Sequence, residues 1–236
     1  MSDLKHDLVE VLCSFGFEPN ANPWDSTFFG EFYEKIKTIG FTEKQEQKGI
    51  QFKVEIDART PAIPRASADV LETRMLFRNS NTNSAIILAP NFISFHKLAP
   101  YASWETFRKE SIEPGLRIYQ ELGLGLHRLL QTQVLYLNKY EFERGVGLSE
   151  KFKFIPEVDK MGIGKEKSLR FQSQYDFDPN LIMQIKLNAN SLSNGRKDVV
   201  LECSCIAMNN EDSSDYFSLA ELAHKKNNEV FNLIAD

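Results

Sequence analysis

The stretch LIMQIKLNANSLSNGRKDVVLECSCIAM, residues 181–208, decides the fold class of this chain. Two runs, residues 181–191 and 198–208, alternate apolar with polar side chains, and the dipeptide Asn194-Gly195 lies between them. Successive side chains of a strand point to opposite faces of a sheet, and Asn-Gly favours a tight hairpin turn. The stretch therefore predicts an antiparallel hairpin with one apolar face and one polar face.

Further strand-like patterns precede this hairpin along the chain. They fall at residues 8–17, 51–57, 73–78, 84–89, 92–98, 126–142 and 169–177. Short polar turns join the three patterns between residues 73 and 98, as in an antiparallel meander. Residues 59–68 hold Pro61 and Pro64 and are predicted to be a loop, because proline lacks the N–H that a strand ladder requires.

Three segments show the spacing of apolar residues that is typical of a helix. They are residues 28–41, residues 104–122 after the N-cap candidate Ser103, and residues 215–234. Pro114 is expected to kink or interrupt the second helix. Each helix has a single apolar stripe, so we predict an α+β fold in which antiparallel meanders pack against about three amphipathic helices.

A chain of 236 residues suits a single α+β domain, and residues 1–236 are predicted to form one. Each half, residues 1–125 and residues 126–236, carries several strands followed by a helix, which fits a degenerate internal duplication without a residue-level repeat. Residues 144–167 combine four glycines with mixed charge and are predicted to be the most mobile loop.

Composition and charge argue against several classes of protein. The 28 Lys and Arg against 33 Asp and Glu give a net charge of -5, which makes generic nucleic-acid binding unlikely. No apolar run approaches the ~18–20 residues that cross a bilayer, so we expect no membrane partner. The first residues do not resemble a signal peptide, and Cys13, Cys203 and Cys205 are odd in number, so a cytoplasmic protein with reduced thiols is expected.

Common catalytic and metal-binding motifs are missing from the sequence. Residues 162–166 lack the first glycine and the hydroxyl of a P-loop, and neither G-x-S-x-G nor H-E-x-x-H occurs. Cys203 and Cys205 have no paired histidines, so we expect buried thiols rather than zinc ligands. We therefore predict no catalytic residue, no metal and no cofactor, while a triad assembled from distant residues stays open.

Structural roles are predicted for two prominent side chains, Trp104 and His224. Trp104 begins the second predicted helix and is expected to anchor the core, because large aromatic side chains usually do so. His224 lies beside the apolar stripe of the last helix, and an isolated histidine predicts a polar edge or capping role.

The polar face of the second meander is the predicted binding surface. Residues two apart in a strand share a face. The face comprises Gln131, Gln133 and Leu135, then Arg170, Gln172 and Gln174, then Gln184 and Lys186, and finally Glu202. Amides with few charges suit a hydrogen-bonding interface, so we expect a protein partner or a second copy of the chain, with Arg170 and Lys186 as charged contacts. The alternative is an ordinary solvated sheet face.

Four short motifs resemble a known family. They are Asp7-Leu8-Val9-Glu10, Tyr101-x-x-Trp104-x-x-Phe107, Leu135-Tyr136-Leu137-Asn138 and the last helix from His224 to Phe231. Together they resemble a sporadically distributed bacterial family of uncharacterised proteins, in which an arginine commonly stands at the position of Leu135. The resemblance implies a bacterial cytoplasmic protein linked to a mobile-element or defence locus, and it implies no chemistry.

These observations favour a non-catalytic binding or accessory protein that acts through a protein partner or through self-association. Two alternatives stay open. One is a carrier that encloses an apolar small molecule between sheet and helix, because a sheet that curves around a helix often leaves a cavity there. The other is an enzyme whose site cannot be recognised from the sequence.

Overall fold

The computed structural model describes residues 6–18, 25–47, 50–55, 65–70, 73–124, 128–144, 146–155, 167–210 and 215–234. These parts of the chain form a nine-stranded antiparallel sheet, a separate two-stranded hairpin and three helical regions. The α+β fold predicted from the sequence is confirmed. No helix within these ranges is both long and apolar enough to cross a membrane.

Nine of the eleven strands in the described residues follow the predicted patterns, and two do not. They are β1 (His6–Phe17), β2 (Glu43–Gln47), β3 (Ile50–Glu55), β4 (Arg65–Val70), β5 (Arg74–Asn79), β6 (Ser84–Ala89), β7 (Phe92–Leu98), β8 (Leu129–Phe142), β9 (Ser168–Asp178), β10 (Leu181–Ser191) and β11 (Lys197–Met208). In the large sheet the spatial order is β2-β5-β6-β7-β1-β8-β11-β10-β9, while β3 pairs with β4 alone. The predicted hairpin of residues 181–208 forms, with Gly195 in the left-handed conformation that its turn requires.

The helices are α1 (Thr27–Ile36), α2 (Trp104–Phe107), α3 (Glu113–Glu121) and α4 (Tyr216–Ile234). Ser103 caps α2 as predicted, because its hydroxyl accepts a hydrogen bond from the Thr106 amide at 3.1 Å. The interruption predicted at Pro114 is a π-helical turn over residues 108–112 that separates α2 from α3. A proline ring crowds the carbonyl four residues earlier, so a regular helix cannot continue through it.

All three helical regions pack on one face of the sheet. Its central row is entirely buried and runs across the strands as Phe77, Ile86, Phe95, Cys13, Val134, Cys205 and Met183. Phe32 of α1 contacts Phe77 with the ring centroids 5.5 Å apart. From α4, the buried Asn227 amide donates to the carbonyls of Val134 and Cys203, both at 2.9 Å. The core therefore lies between this face and the helices.

The two halves of the large sheet share one strand order. In each half the first strand, β1 or β8, pairs with the last strand of the same half, β7 or β11, and a helix follows that last strand. The first strands then pair with each other at the centre. This order fits the predicted duplication, whose halves at residues 1–125 and 126–236 stay a prediction.

Three local expectations need correction. Residues 65–68 were expected to lie in a loop but belong to β4, which is paired with β3, and residues 56–64 lie outside the described residues. The segment predicted to be mobile includes Leu148, Phe152 and Ile155, which are buried in the core, while residue 145 and residues 156–166 lie outside the described residues. The edge strand β2 was missed, because its residues EKQEQ are polar and mostly exposed and show no alternation.

Candidate functional site

The face of the sheet opposite to the helices, called the open face here, carries the candidate site. One row across it runs from Ile87 through Ser94, Ser14 and Gln133 to Ile206. Most of these side chains are only partly buried, unlike the fully buried row on the helix side. Within the described ranges the helices pack on the other face.

A groove with a volume of about 770 Å³ crosses the middle of the open face over β7, β1 and β8. Its floor is low because β1 and β7 place Ser14, Gly16 and Ser94 there, and these residues have little or no side chain. Larger side chains such as Leu130 and Met208 line the groove around them. This volume lies within the range of ~300–1,000 Å³ that is typical of small-molecule sites.

Three polar side chains at one end of the groove form a hydrogen-bonded relay, called the Ser–His–Glu relay here. Ser94 Oγ lies 2.9 Å from His96 Nε2, and His96 Nδ1 lies 2.6 Å from Glu10 Oε1. Because the Glu10 carboxylate accepts hydrogen bonds, the neighbouring Nδ1 of His96 carries the ring proton and donates it. Nε2 of the neutral ring then accepts a hydrogen bond from the Ser94 hydroxyl. The His96 and Glu10 side chains are 14% and 26% exposed, so the relay is largely shielded from bulk water.

The strands explain how these residues meet. Ser94 and His96 are two apart in β7 and therefore point to the same face. On the neighbouring strand β1, Leu12 lies opposite His96. Glu10 lies two residues before Leu12, opposite Leu98. Diagonal neighbours of this kind are within reach of long side chains.

The other end of the groove is rich in hydrogen-bond donors and is cationic. The Arg74 guanidinium lies over the Phe92 ring, 5.1 Å from its centroid. In the described part of the chain Arg74 has no carboxylate partner, and the side-chain amides of Asn91 and Gln131 make no hydrogen bond. Arg128 also lines this end, where it forms an exposed ion pair with Glu18 at 3.5 Å. A ligand here would meet Arg74, Asn91 and Gln131 as unpaired polar groups.

All nine residues of the predicted binding surface lie on the open face. Gln131 and Gln133 line the groove, and the others continue the face from Leu135 towards β9. Several of them already pair with each other: Lys186 Nζ lies 2.6 Å from Glu202 Oε1, and Gln184 Nε2 donates to Gln174 Oε1 at 3.2 Å. The sheet brings the surface together as expected, and its role in binding a protein partner stays a prediction.

Neither the relay nor the cationic end was predicted from the sequence. One signal was present, because Ser94-x-His96 within a predicted strand places a hydroxyl and an imidazole on the same face. The contribution of Glu10 carried no local signal, because it lies 86 residues before His96. Arg74 likewise reaches the groove only because β5, β6 and β7 pair in sequence beside β1.

A second polar cluster, called the helix clasp here, lies on the helix side of the sheet. Its members are Tyr101, Trp104, Arg108, Tyr136, Glu221 and His224. Glu221 Oε1 accepts from Trp104 Nε1 at 2.8 Å and from Arg108 at 2.7 Å, while the imidazole of His224 stacks on Trp104 with the ring centroids 4.5 Å apart. The clasp joins α2 and the π-helical turn to α4.

Burial controls protonation within the helix clasp. The Tyr136 hydroxyl lies 2.7 Å from His224 Nδ1, and burial raises the pKa of Tyr136 well above its usual range. Burial also raises the pKa of Tyr101 to about 12 and lowers the pKa of His224, against an opposing effect of the Glu221 carboxylate. Both tyrosines are therefore neutral at physiological pH, and the clasp has the properties of a structural link between helices. Trp104 is buried, as predicted.

Neither site has the ligand set of a metal centre. Among the described residues no group of three or more His, Cys, Asp or Glu side chains is placed to hold a metal ion. Cys13, Cys203 and Cys205 are not joined by a disulfide and are fully buried, in agreement with the expectation of buried thiols. The groove also lies on the opposite face of the sheet from the helices, whereas the carrier alternative expected a cavity between sheet and helix.

Three of the four motifs behind the family resemblance contribute residues to the helix clasp. These residues are Tyr101 and Trp104 from one motif, Tyr136 from another and His224 from the last helix. The resemblance itself stays a prediction. Comparison of the chain with protein-family models, with curated proteins and with solved structures gives no match.

Proposed function

We propose that this chain is a cytoplasmic binding protein whose groove on the open face holds a small organic carboxylate. The observation that carries the proposal is the convergence of the Arg74, Asn91 and Gln131 side chains, which have no described hydrogen-bond or ion-pair partner, at one end of a groove that apolar residues also line. Pockets of this size, mainly apolar with a few convergent polar groups, are typical ligand sites.

The chemistry of the cationic end favours a carboxylate. A guanidinium presents two parallel N–H groups that match the two oxygens of a carboxylate, and the guanidinium of Arg74 lies over the Phe92 ring at this end. Of the two arginines that line the groove, only Arg74 lacks an acidic partner among the described residues, since Arg128 pairs with Glu18. The Glu10 carboxylate lies beside the far end, where it contacts His96. This balance suits a ligand with one negative charge better than a dianionic phosphate.

Two further observations bear on the setting of this function. Cys13, Cys203 and Cys205 are not joined by a disulfide, which supports a reducing compartment such as the cytoplasm. A protein partner or a second copy on the surface around Arg170 is the sequence-based alternative. We rank it second because Lys186, its other charged contact, is already paired with Glu202.

The proposal predicts that Arg74→Gln weakens carboxylate binding. A ¹⁵N-labelled sample would be titrated with alkyl and aryl monocarboxylates and, separately, with inorganic phosphate. We expect chemical-shift changes at Asn91, Gln131 and the β1 amides near Ser14, and ~10–100-fold weaker binding in the variant, because a hydrogen bond to a charged group contributes ~1.5–3 kcal/mol. Arg170→Gln is the matched control, since Arg170 lies on the same face outside the groove.

Three results would contradict this function. One is equal carboxylate affinity in Arg74→Gln and the parent protein. Another is a set of shifted amides confined to the helix clasp or to β9. The third is binding of phosphate in preference to every carboxylate of the panel.

A further inference from the structure

We propose that the Ser–His–Glu relay makes Ser94 the nucleophile of an acyl-transfer site in the same groove, with carboxylic esters as its substrate class. The inference that these esters also carry a free carboxylate group rests on the proposed function, whereas the assignment of Ser94 as the nucleophile rests on the relay alone. Nothing in the proposed binding function requires a hydroxyl, an imidazole and a carboxylate connected in this order.

The relay has the geometry that activates a serine. A general base must lie within ~2.6–3.2 Å of the hydroxyl, and a third group must hold the base in orientation. His96 Nε2 at 2.9 Å from Ser94 Oγ meets the first condition, and Glu10 at 2.6 Å from His96 Nδ1 meets the second. The ring is thereby held in the tautomer that accepts the serine proton.

Stability alone does not call for this arrangement. Polar side chains shielded from water need hydrogen-bond partners, but stability does not require those partners to be a hydroxyl, an imidazole and a carboxylate in this order. Here the relay connects a histidine to a glutamate on a different strand, 86 residues away in the sequence, at the edge of a groove of small-molecule size. Functional polar groups that act together are expected to show such convergence.

Side chains would supply the hydrogen-bond donors for the oxyanion of the transition state. The amides of β7 and β1 pair in their antiparallel ladder, so they do not form the backbone oxyanion hole known from serine hydrolases. Ser14 lies directly opposite Ser94 in the register, and its hydroxyl makes no hydrogen bond in the described part of the chain. The Gln131 side chain lies beside Gly16, which is two residues after Ser14 in β1 and on the same face. Ser14 and Gln131 are therefore the available donors.

The reaction follows from these positions. Ser94 Oγ attacks the ester carbonyl carbon as its proton passes to His96 Nε2, and the imidazolium is stabilised by Glu10. The C–O bond to the leaving alcohol then breaks, and the alcohol oxygen takes that proton from His96. Water attacks the resulting acyl-serine, gives one proton to His96 and releases the carboxylic acid, while the proton returns to Ser94 Oγ. No oxidant, reductant or other co-reactant is required.

Register also limits the shape of the substrate. On this face Arg74 lies in the same row of residues as Phe92, whereas Ser94 lies in the next row. The Cα atoms of Arg74 and Ser94 are therefore two strand spacings apart across the sheet, or ~10 Å, and ~7 Å apart along the strands. The Arg74 side chain crosses part of this gap, because it reaches over Phe92. An ester with a carboxylate several bonds from the reacting carbonyl would span the two ends.

A fluorophosphonate probe tests the nucleophile without knowledge of the substrate. Ser94 Oγ would form a bond to phosphorus, fluoride would leave, and His96 would take the proton. We expect one adduct by intact-protein mass spectrometry, mapped to Ser94 by peptide sequencing, and no adduct in Ser94→Ala. His96→Gln should label ~10²–10⁴-fold more slowly, the usual contribution of a general base. Ser204→Ala is the matched control, because Ser204 lies on the same face with its hydroxyl bound to Gln133, and should label like the parent protein.

The outcomes separate the two proposals. An unmodified Ser94 in the parent protein after prolonged excess probe, or equal labelling rates in His96→Gln and the parent, would overturn the nucleophile even if Ser94→Ala failed to fold. Carboxylate binding that persists in Ser94→Ala would then leave the binding function standing. If Ser94 is labelled and Arg74→Gln binds carboxylates with the same affinity as the parent protein, the binding function is overturned and the nucleophile is retained.

Discussion

At the scale of single residues, the two helical glycines Gly115 and Gly30 illustrate how position alone decides the effect of one methyl group. A Cβ added to Gly115 in α3 would lie 2.5 Å from Cε1 of Phe95 and 3.3 Å from Cδ1 of Ile86. The same atom on Gly30 in α1 would have nothing within 4 Å. Gly115 therefore allows α3 to approach β6 and β7 closely, whereas Gly30 faces solvent.

We expect Gly115→Ala to lower the free energy of unfolding by ~1–3 kcal/mol, the usual cost of overpacking a filled core. Gly30→Ala, the matched control, should raise it by ~0.5–1 kcal/mol, because alanine restricts the unfolded chain and favours the helix. Urea denaturation followed by circular dichroism would measure both. Equal effects of the two substitutions would show that α3 does not pack on Phe95 as described.

At the scale of elements, the helix clasp holds α2 against α4 and makes their contact sensitive to pH. The titratable or charged groups around His224 are Tyr136, Glu221 and Arg108. Burial lowers the pKa of His224 in the folded protein below its value of 6.5 in the unfolded chain, in spite of Glu221. As the pH falls below about 6.5, the unfolded chain takes up a proton that the folded clasp resists, so stability is lost on acidification.

This linkage predicts that His224→Gln flattens the pH dependence of stability. The unfolding free energy of the parent protein should fall between pH 7 and pH 5 more steeply than that of the variant, because only the parent has this titrating group. Denaturation curves at several pH values measure the difference, and the NMR titration of the His224 ring gives its pKa directly. Parallel pH profiles, or a ring pKa above 6.5, would be incompatible with a buried neutral imidazole.

At the scale of the whole molecule, β1 and β8 join the two halves through an antiparallel ladder at the centre of the sheet. Their register runs from His6 opposite Tyr140 to Phe17 opposite Leu129. Cys13 of the first half and Cys205 of the second half both neighbour Val134 and are fully buried, as is Cys203. These thiols report on the integrity of both halves.

We predict that the two halves unfold as one cooperative unit, because separation would expose the core face of β1 and β8. Thiol labelling across a urea series, with each cysteine assigned by mass spectrometry, should give one midpoint for Cys13, Cys203 and Cys205. Burial raises the pKa of Cys203 to about 12, so its reaction with the reagent requires opening of the sheet. A lower midpoint for Cys13 than for the other two would show that the halves unfold separately.

Local sequence patterns were sufficient for most elements of this fold. Alternation in residues 181–208 predicted the hairpin, its core face and its polar face, because the period of side chains in a strand is a local property. The cap at Ser103 and the interruption at Pro114 were likewise readable, since each depends on a few adjacent residues. The polar strand β2 was not readable, because its pairing with β5 rather than its own residues makes it a strand.

The tertiary structure alone decided the candidate site. Whether β1 lies between β7 and β8 depends on the free energy of packing the whole core, and no local segment of the chain carries that information. This placement brings Glu10 to His96, puts Ser14 opposite Ser94 and opens the groove. The sequence by itself determined which side chains share a face in each strand, while the order and register of the strands determined which of them meet.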